Sequence, residues 1–326
     1  MMQNIIVTRR WPGAVEQELR ALVADQAEVT FNEDDEPFSR EEMAQALTQA
    51  DIVCPTVTDQ LDAEMLRQSD LRTRLLANFG VGYNHIDMAA AHAAGVAVTN
   101  TPGVLTDATA EIALTLLLSC ARRTGEGERL VRAGQWQGWH PTHMLSTQVT
   151  GKTLGIVGMG RIGQALAQKA HLGLGMRIIY HSRSELDASL AESLGATRVG
   201  LTELLKRSDF VSLHCPSTRD TRNLIDAQAL AQMSENAFLI NTARGDVVDE
   251  SALVEALSER RIAGAGLDVY AAEPQLAAGL IELENVVLLP HMGSGTPETR
   301  VAMGHCAIAN VKAFLQGSPL PDEIRA

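Results

Sequence analysis

Aromatic side chains, paired cysteines and positive charge are all scarce in this sequence of 326 residues. Aromatics make up 4% of the chain against 45% hydrophobic residues in total. Ala, Val, Ile and Leu therefore supply the apolar content, as in helices packed on a parallel sheet. The four cysteines, Cys54, Cys120, Cys215 and Cys306, form no CxxC pair. Their spacing predicts reduced thiols and no metal site.

The formal net charge is −13. An acidic surface repels phosphate backbones and anionic lipids, so neither nucleic acid nor a membrane is an expected partner, although a locally basic pocket could still bind an anionic substrate. The longest apolar run, Ile112 to Cys120, is far shorter than the about 20 residues that span a bilayer. A strand-like run starts at Asn4, so we expect no signal peptide and a cytoplasmic protein.

Short apolar runs alternate with helical patterns, which predicts an α/β fold with two doubly wound parallel-sheet domains. The first series of runs is Ile5–Thr8, Glu28–Phe31, Asp51–Cys54, Leu75–Phe79 and Val96–Thr99. The second series is Thr153–Gly158, Arg177–His181, Phe210–His214, Ala237–Asn241, Gly264–Val269 and Val286–Leu289.

Several segments between and beside these runs predict helices. Ser39–Ala50 opens with the spacing of a capping box, Gly103–Cys120 is long and apolar, and a last helix starts near Pro297 and ends near Leu315. Gly125–Thr150 shows no clear periodicity and is too long for an ordinary connection. We expect that segment to be functional or to form an interface arm.

A glycine-rich loop follows the first strand of the second series. Gly158, Gly160 and Gly163 enclose Met159, Arg161 and Ile162 in a GxGxxG pattern between a strand and a helix. These glycines permit a tight turn, backbone approach to a pyrophosphate and close packing of helix on strand. The free N–H groups at the helix N-terminus complete an anion site, so the loop predicts dinucleotide binding.

The next strand ends in His181-Ser182-Arg183-Ser184. NAD-specific sites place a carboxylate here to accept hydrogen bonds from the ribose hydroxyls. A guanidinium between two serines suits a 2′-phosphate instead, so we predict NADP as the preferred cofactor, with NAD also accepted. The alternative is that these residues only cap the loop and that Glu185 turns inward.

Three charged residues follow strands of the second series. They are Arg244 in Asn241–Asp246, Glu273 before Pro274, and His291 after Pro290. Open α/β sheets bind their ligands beyond the carboxyl ends of the strands, so these side chains are candidates for one active site.

With these motifs the chain resembles the D-isomer-specific 2-hydroxyacid dehydrogenase family. The segments that carry the resemblance are Asn78–Asp87, Asn100–Gly103, Gly158–Gly163, Asn241–Asp246, Gly264–Val269 and Pro290-His291. Within the family the chain is most similar to glyoxylate/hydroxypyruvate reductases, on Gly138–Met144 and His171–Met176.

The resemblance implies a catalytic triad. Arg244 would bind the carboxylate and carbonyl of a 2-keto acid, His291 would be the general acid in its reduction, and Glu273 would orient the imidazole. The expected reaction is NAD(P)H-dependent reduction of a small 2-keto acid such as glyoxylate or hydroxypyruvate to the 2-hydroxy acid.

The resemblance also implies further binding residues. Backbone N–H groups of Val81 and Gly82 would hold the substrate carboxylate, and Trp139 would enter the substrate pocket of the partner subunit. Besides Arg244, His291, the glycine loop and His181–Ser184, the implied cofactor-binding residues are Thr109, Cys215, Pro216, Thr242, Ala243, Asp268 and Gly293.

For the architecture, the resemblance implies a Rossmann cofactor domain inserted into a flavodoxin-like substrate domain. The predicted boundaries are residues 1–100 and 291–326 for the substrate domain and 101–290 for the cofactor domain, with the active site in the cleft between them. It also implies a homodimer through the long helix and the arm that follow residue 102.

Other activities share this plan. Formate dehydrogenases carry Gln where this chain has Glu273, and phosphite dehydrogenases carry Lys where it has Val81. A dehydrogenase of another D-2-hydroxy acid, phosphoglycerate or a bulkier acid, stays open as an alternative. A dinucleotide-sensing corepressor is a further alternative, because such relatives keep the triad.

Overall fold

The computed structural model describes residues 2–325, and the chain divides into two compact units. The first unit consists of the chain up to Leu105 together with the chain from Ser294 onward, and the second is Thr106–Gly293. The second unit is therefore inserted into the sequence of the first. The predicted boundaries fall a few residues before these, so that His291 belongs to the second unit.

The first unit contains a five-stranded parallel sheet. Its elements up to the insertion are β1 Gln3–Val7, α1 Gly13–Val23, β2 Ala27–Phe31, α2 Arg40–Gln49, β3 Ile52–Cys54, α3 Ala63–Leu66, β4 Leu75–Ala77, α4 Met88–Ala93 and β5 Ala97–Thr99. Strands β3 and β4 are wholly buried, because both faces of the sheet are covered. The order β2-β1-β3-β4-β5 is the flavodoxin-like order.

The second unit contains a seven-stranded parallel sheet. It opens with α5 Thr106–Arg122 and α6 Thr124–Arg132. The sheet and its helices then follow as β6 Thr153–Val157, α7 Arg161–Leu174, β7 Arg177–His181, α8 Ala188–Ser193, β8 Ala196–Arg198, α9 Leu201–Arg207, β9 Phe210–Leu213, α10 Ala227–Leu230, β10 Phe238–Asn241, α11 Glu250–Ser258, β11 Gly264–Leu267 and β12 Val286–Leu288.

The strand order β8-β7-β6-β9-β10-β11-β12 of this sheet is the Rossmann order with one strand added at its far edge. The order reverses at β6, and the glycine loop Gly158–Gly163 follows that strand. The predicted fold class is thereby confirmed for both units.

The chain returns to the first unit with α12, Pro297–Leu315, in the predicted place. Thr296 caps this helix by accepting from the Thr299 amide, and Pro297 occupies the first turn. Helix α12 packs closely on α1: a Cβ added at Gly304 would lie 2.4 Å from a methyl carbon of Val15. The predicted capping box of α2, between Ser39 and Glu42, is also present.

Helix α6 and strand β8 were not predicted from the sequence. Helix α6 begins one residue before the segment Gly125–Thr150, for which no helix was predicted, and it buries none of its residues in this chain. Strand β8 is short, polar and at the sheet edge, so it lacks the apolar run that marks the other strands. Residues 135–149, after α6, form neither helix nor strand. Among residues 2–325, no helix is long and apolar enough to cross a membrane.

Candidate active site

The glycine loop forms a cradle at the start of α7. Gly158 has φ +95°, and a Cβ there would lie 2.5 Å from the Cys215 amide nitrogen. A Cβ at Gly163 would lie 2.4 Å from the Gly158 carbonyl oxygen, whereas Gly160 faces open space. Only glycine allows this turn together with the packing of α7 on β6.

The cradle fits a dinucleotide pyrophosphate. The N-cap of α7 is Gly160, without a side-chain cap, so the first N–H groups of the helix face outward. Across the neighbouring strand ends, Thr242 Oγ1 and His214 Nδ1 are buried and have no hydrogen-bond partner among the described residues. Glycine loop, helix N-terminus and unpaired polar atoms together suit a bound polar cofactor rather than a closed protein core.

Arg244, Glu273 and His291 follow β10, β11 and β12, three adjacent strands. His291 Nδ1 lies 2.7 Å from Glu273 Oε2. Because an ionised carboxylate only accepts hydrogen bonds, Nδ1 carries the proton of this pair, and Nε2 is left for a substrate. The His291 side chain is 32% exposed, so a ligand can reach it.

Glu273 is held ionised by its neighbours. Burial acts to raise the pKa of Glu273, but the His291 hydrogen bond and charge, the Tyr270 amide at 2.9 Å and the Arg244 guanidinium outweigh burial and keep that pKa below its usual value. The carboxylate therefore stays negative beside the imidazole near neutral pH.

Arg244 is fixed by the backbone around it. Its Nη1 donates to the Ala243 carbonyl at 2.7 Å, and Asn241 holds the Arg244 carbonyl at 2.9 Å. A Cβ at Gly245 would lie 1.9 Å from the Tyr270 carbonyl carbon, so the Arg244 loop packs directly on the loop that leads to Glu273. Burial lowers the pKa of Arg244, and the charges of Glu273 and Asp246 oppose this, so the guanidinium remains a cation.

Asp268 positions the segment after His291. Its two carboxylate oxygens accept from the Met292 and Gly293 amides, each at 2.8 Å. His291 itself has φ +51°, a conformation that costs energy in a residue with a side chain and is held here by these bonds. Thr109 Oγ1 donates to the Gly293 carbonyl at 3.1 Å. Of the residues expected beside the cofactor, Thr109 and Asp268 thus both bind the backbone of Gly293.

The substrate residues expected in the first unit lie on a loop after β4. Asn78 donates to the carbonyls of Gly80 and Gly82, each at 3.0 Å, and Asn100 donates to the Val81 carbonyl at 2.8 Å. In residues 2–325 no hydrogen bond uses the N–H groups of Val81 and Gly82. The loop thus keeps two adjacent donors available for an anion.

Two positioning residues were missed from sequence. Glu250, in the first turn of α11, accepts from the Ala271 amide at 2.7 Å and so fixes the loop that carries Glu273. Tyr270 donates through its hydroxyl to the Leu289 carbonyl at 2.8 Å, tying that loop to the strand end before His291. Tyr270 directly follows the Gly264–Val269 motif, which could have pointed to it, whereas a lone Glu at the start of a helix gives no signal.

Comparisons with known proteins show the family of the chain. Residues 114–293 match the family model for the D-isomer specific 2-hydroxyacid dehydrogenase NAD-binding domain. A glyoxylate reductase of Thermococcus litoralis is 44% identical, with 99% of this chain and 96% of that protein covered. The crystal structure of a glyoxylate reductase from Paecilomyes thermophila has TM-score 0.86 and 32% identity, covering 99% and 98% of the two chains.

A further solved structure contains a cofactor. The NADPH-dependent glyoxylate/hydroxypyruvate reductase of Sinorhizobium meliloti, in complex with NADP and malonate, has TM-score 0.85 and 31% identity over 99% of this chain and 97% of that one. The chain belongs to the D-isomer specific 2-hydroxyacid dehydrogenase family. It is an oxidoreductase that uses a nicotinamide dinucleotide, and the predicted family is confirmed.

Proposed function

We propose that this enzyme reduces small 2-keto acids, glyoxylate and hydroxypyruvate, to the 2-hydroxy acids, with NADPH as the preferred donor. The observation that carries the proposal is the His291–Glu273 pair with Arg244 on the neighbouring strand end of a Rossmann sheet. Relatives named glyoxylate reductase support the substrate class, since they cover nearly the whole chain.

In the proposed reduction, each residue of the site has a separate role. Arg244 binds the keto acid through its guanidinium fork, which matches a planar carboxylate and the adjacent carbonyl. A dihydronicotinamide held by the glycine loop would supply the hydride when bound. His291 donates a proton from Nε2 to the carbonyl oxygen, and Glu273 keeps the ring oriented and stabilises its cationic form. The Val81 and Gly82 amides are proposed to bind the substrate carboxylate.

A panel of keto acids tests the substrate class. We expect kcat/KM to be highest for glyoxylate and hydroxypyruvate and lower for a branched or aromatic 2-keto acid. A preference for the bulky acids, or for a phosphorylated acid, would assign the enzyme to another D-2-hydroxy acid. Cofactor binding without turnover of any acid would instead favour the dinucleotide-sensing alternative.

Changing Glu273 to glutamine tests the pairing with His291. The cationic imidazole loses its anionic partner, so the limb of the pH–rate profile that His291 sets should move to lower pH. In the reduction direction this is the high-pH limb, since the enzyme needs a protonated His291; in oxidation it is the low-pH limb. An unmoved profile in both directions would contradict the pairing. Glu18→Gln, beside His305 at 3.0 Å, is the matched control.

The NADPH preference rests on the end of β7. Ser182, Arg183 and Ser184 stand where a ribose-binding carboxylate would be, and the nearest acid, Glu185, lies 3.8 Å from the Arg198 guanidinium. The Arg183 side chain is exposed, so solvent screening reduces its effect on a phosphate.

Arg183→Ala should lower the ratio of kcat/KM for NADPH to that for NADH by roughly ten-fold, the value of one charge-assisted contact. Steady-state kinetics with both cofactors at fixed glyoxylate measure this. Equal efficiency of the two cofactors in the wild type, or an unchanged ratio in the variant, would show that the loop does not read the phosphate.

The proposal includes a homodimer formed through the long helix α5 and the arm after it, which contains α6 and residues 135–149. Helix α6 buries none of its residues in this chain, and Val131, Trp136, Trp139 and Leu145 expose large apolar side chains. Apolar side chains concentrated on one segment are typical of an interface. Trp139, 80% exposed, is proposed to enter the substrate pocket of the partner subunit.

Trp139→Ala should therefore weaken the discrimination between glyoxylate and a bulkier keto acid by opening the pocket. The oligomeric state is measured alongside by light scattering. An intact dimer with unchanged discrimination would leave Trp139 a packing role only. Leu172→Ala, an exposed apolar residue on α7, is the control.

A further inference from the structure

Arg198, the last residue of β8, reaches the loop that follows β7. Its Nη2 donates to the carbonyl oxygens of Ser182 at 2.9 Å and Arg183 at 3.0 Å. Its Nη1 lies 3.8 Å from Glu185 Oε2. One guanidinium therefore holds two successive peptide units of the loop and the nearest carboxylate.

Because peptide bonds are planar, these contacts also set the direction of the N–H groups of Arg183 and Ser184. In a trans peptide the C=O and the following N–H point in opposite directions, so the N–H groups of Arg183 and Ser184 point away from Arg198. Strand β7 lies between β6 and β8, so these two N–H groups are directed to the side of β6, where the glycine loop lies. No hydrogen bond within the described part of the chain uses either of them.

The loop is fixed at both ends. At the first end, the His181 carbonyl accepts a hydrogen bond from the Gly158 amide at 2.8 Å. The imidazole Nδ1 of His181 lies 3.3 Å from the Val199 carbonyl oxygen, which is the acceptor. At the other end the Leu186 amide donates to the Tyr180 hydroxyl at 3.1 Å. Between these ends, the hydrogen bonds that the Ser182 and Arg183 carbonyls accept within residues 2–325 both come from Arg198.

We propose that Arg198 is a positioning residue for cofactor selectivity, which holds two loop carbonyls so that the N–H groups of Arg183 and Ser184 bind the 2′-phosphate of NADPH. Two successive N–H groups form a concave anion site, and the serine hydroxyls and the Arg183 guanidinium complete it. The same contact draws Glu185 toward β8 and away from the phosphate. This inference rests on the proposed use of NADPH.

The test compares binding of adenosine 2′,5′-bisphosphate, 5′-AMP, NADPH and NADH by calorimetry and by kinetics. Arg198→Met keeps the aliphatic stem and removes the donors, and should weaken the 2′-phosphate ligands by about ten-fold while 5′-AMP and NADH change little. Arg198→Lys should lie between Met and wild type. Arg207→Ala, an exposed arginine paired with Glu203 on α9, is the control and should match wild type.

A double variant separates the two roles of Arg198. If Arg198 only neutralises Glu185, the variant Arg198→Met with Glu185→Gln regains wild-type binding of the bisphosphate, and the proposal is wrong. Continued weak binding in the double variant supports the positioning role. Equal weakening of NADH and NADPH by Arg198→Met would mean a structural role only and would also overturn it.

The failure of the underlying proposal has a different signature. A wild-type enzyme that binds both cofactors equally contradicts the NADPH preference itself, whatever Arg198 does. A wild type that prefers NADPH and loses the preference in Arg183→Ala, but keeps it in Arg198→Met, contradicts the inference on Arg198 alone.

Discussion

Replacing His291 with alanine should lower kcat for glyoxylate reduction by about 10²–10⁴-fold, the usual value of general acid catalysis. Within residues 2–325, the hydrogen bond described for the His291 imidazole is to Glu273 and none is to the glycine loop, so the dissociation constant for NADPH should stay close to that of wild type. Steady-state kinetics and fluorescence titration of NADPH measure the two quantities. The loss should fall on kcat rather than KM, because the proton is transferred only in the transition state.

The chain offers a matched control for this variant. His305 lies 3.0 Å from Glu18 in another His–Glu pair, exposed on α12. His305→Ala removes the same chemical group and should leave kcat unchanged. Near-normal turnover in His291→Ala, or a similar loss in both variants, would remove His291 from the reaction.

Arg244→Lys should lower kcat/KM for the keto acid by roughly 10²-fold, since an ammonium keeps the charge but replaces two parallel hydrogen bonds with one. KM should rise, because part of this contact binds the substrate carboxylate in the ground state. Cofactor affinity should change little. Steady-state kinetics over a wide range of glyoxylate concentration measure both parameters.

Arg261→Lys is the control for that substitution. Its half-buried guanidinium lies 2.9 Å from Glu255 and 2.9 Å from Glu259, in the same unit. It should match wild type within error. A lysine at position 244 that supported wild-type kcat/KM would contradict the proposed fork-to-carboxylate contact.

Much of the fold could be predicted because its signals are local. Buried strands such as β3 and β6 are continuous apolar runs, and the turn at Gly158 requires residues without a side chain. The conformation of Glu273 and His291 could not be read in this way. Their 2.7 Å contact depends on the backbone after two different strands, which sequence shows only through the family motifs.

The remaining parts depend on contacts that have no sequence pattern. Arg198 acts from a strand of three residues that lacks an apolar run, and Glu250 acts through the amide of Ala271, far along the chain. Helix α6 buries nothing within its own chain, so its amphipathic face has no core to reveal it. The roles of such residues can be recognised only from a structure that shows which groups they contact.

The most direct test of the proposed reaction is to reduce hydroxypyruvate with NADPH that carries deuterium at both hydrogen positions of nicotinamide C4, so that the transferred hydride is labelled whichever face is used. The expected product is glycerate with one deuterium at C2 and the D configuration, formed as NADPH is consumed in equal amount. Because the hydride passes directly from cofactor to substrate, no deuterium should be lost to water. The proposed reaction would be contradicted by glycerate of the L configuration or by glycerate without deuterium. It would also be contradicted if neither hydroxypyruvate nor glyoxylate caused NADPH to be consumed.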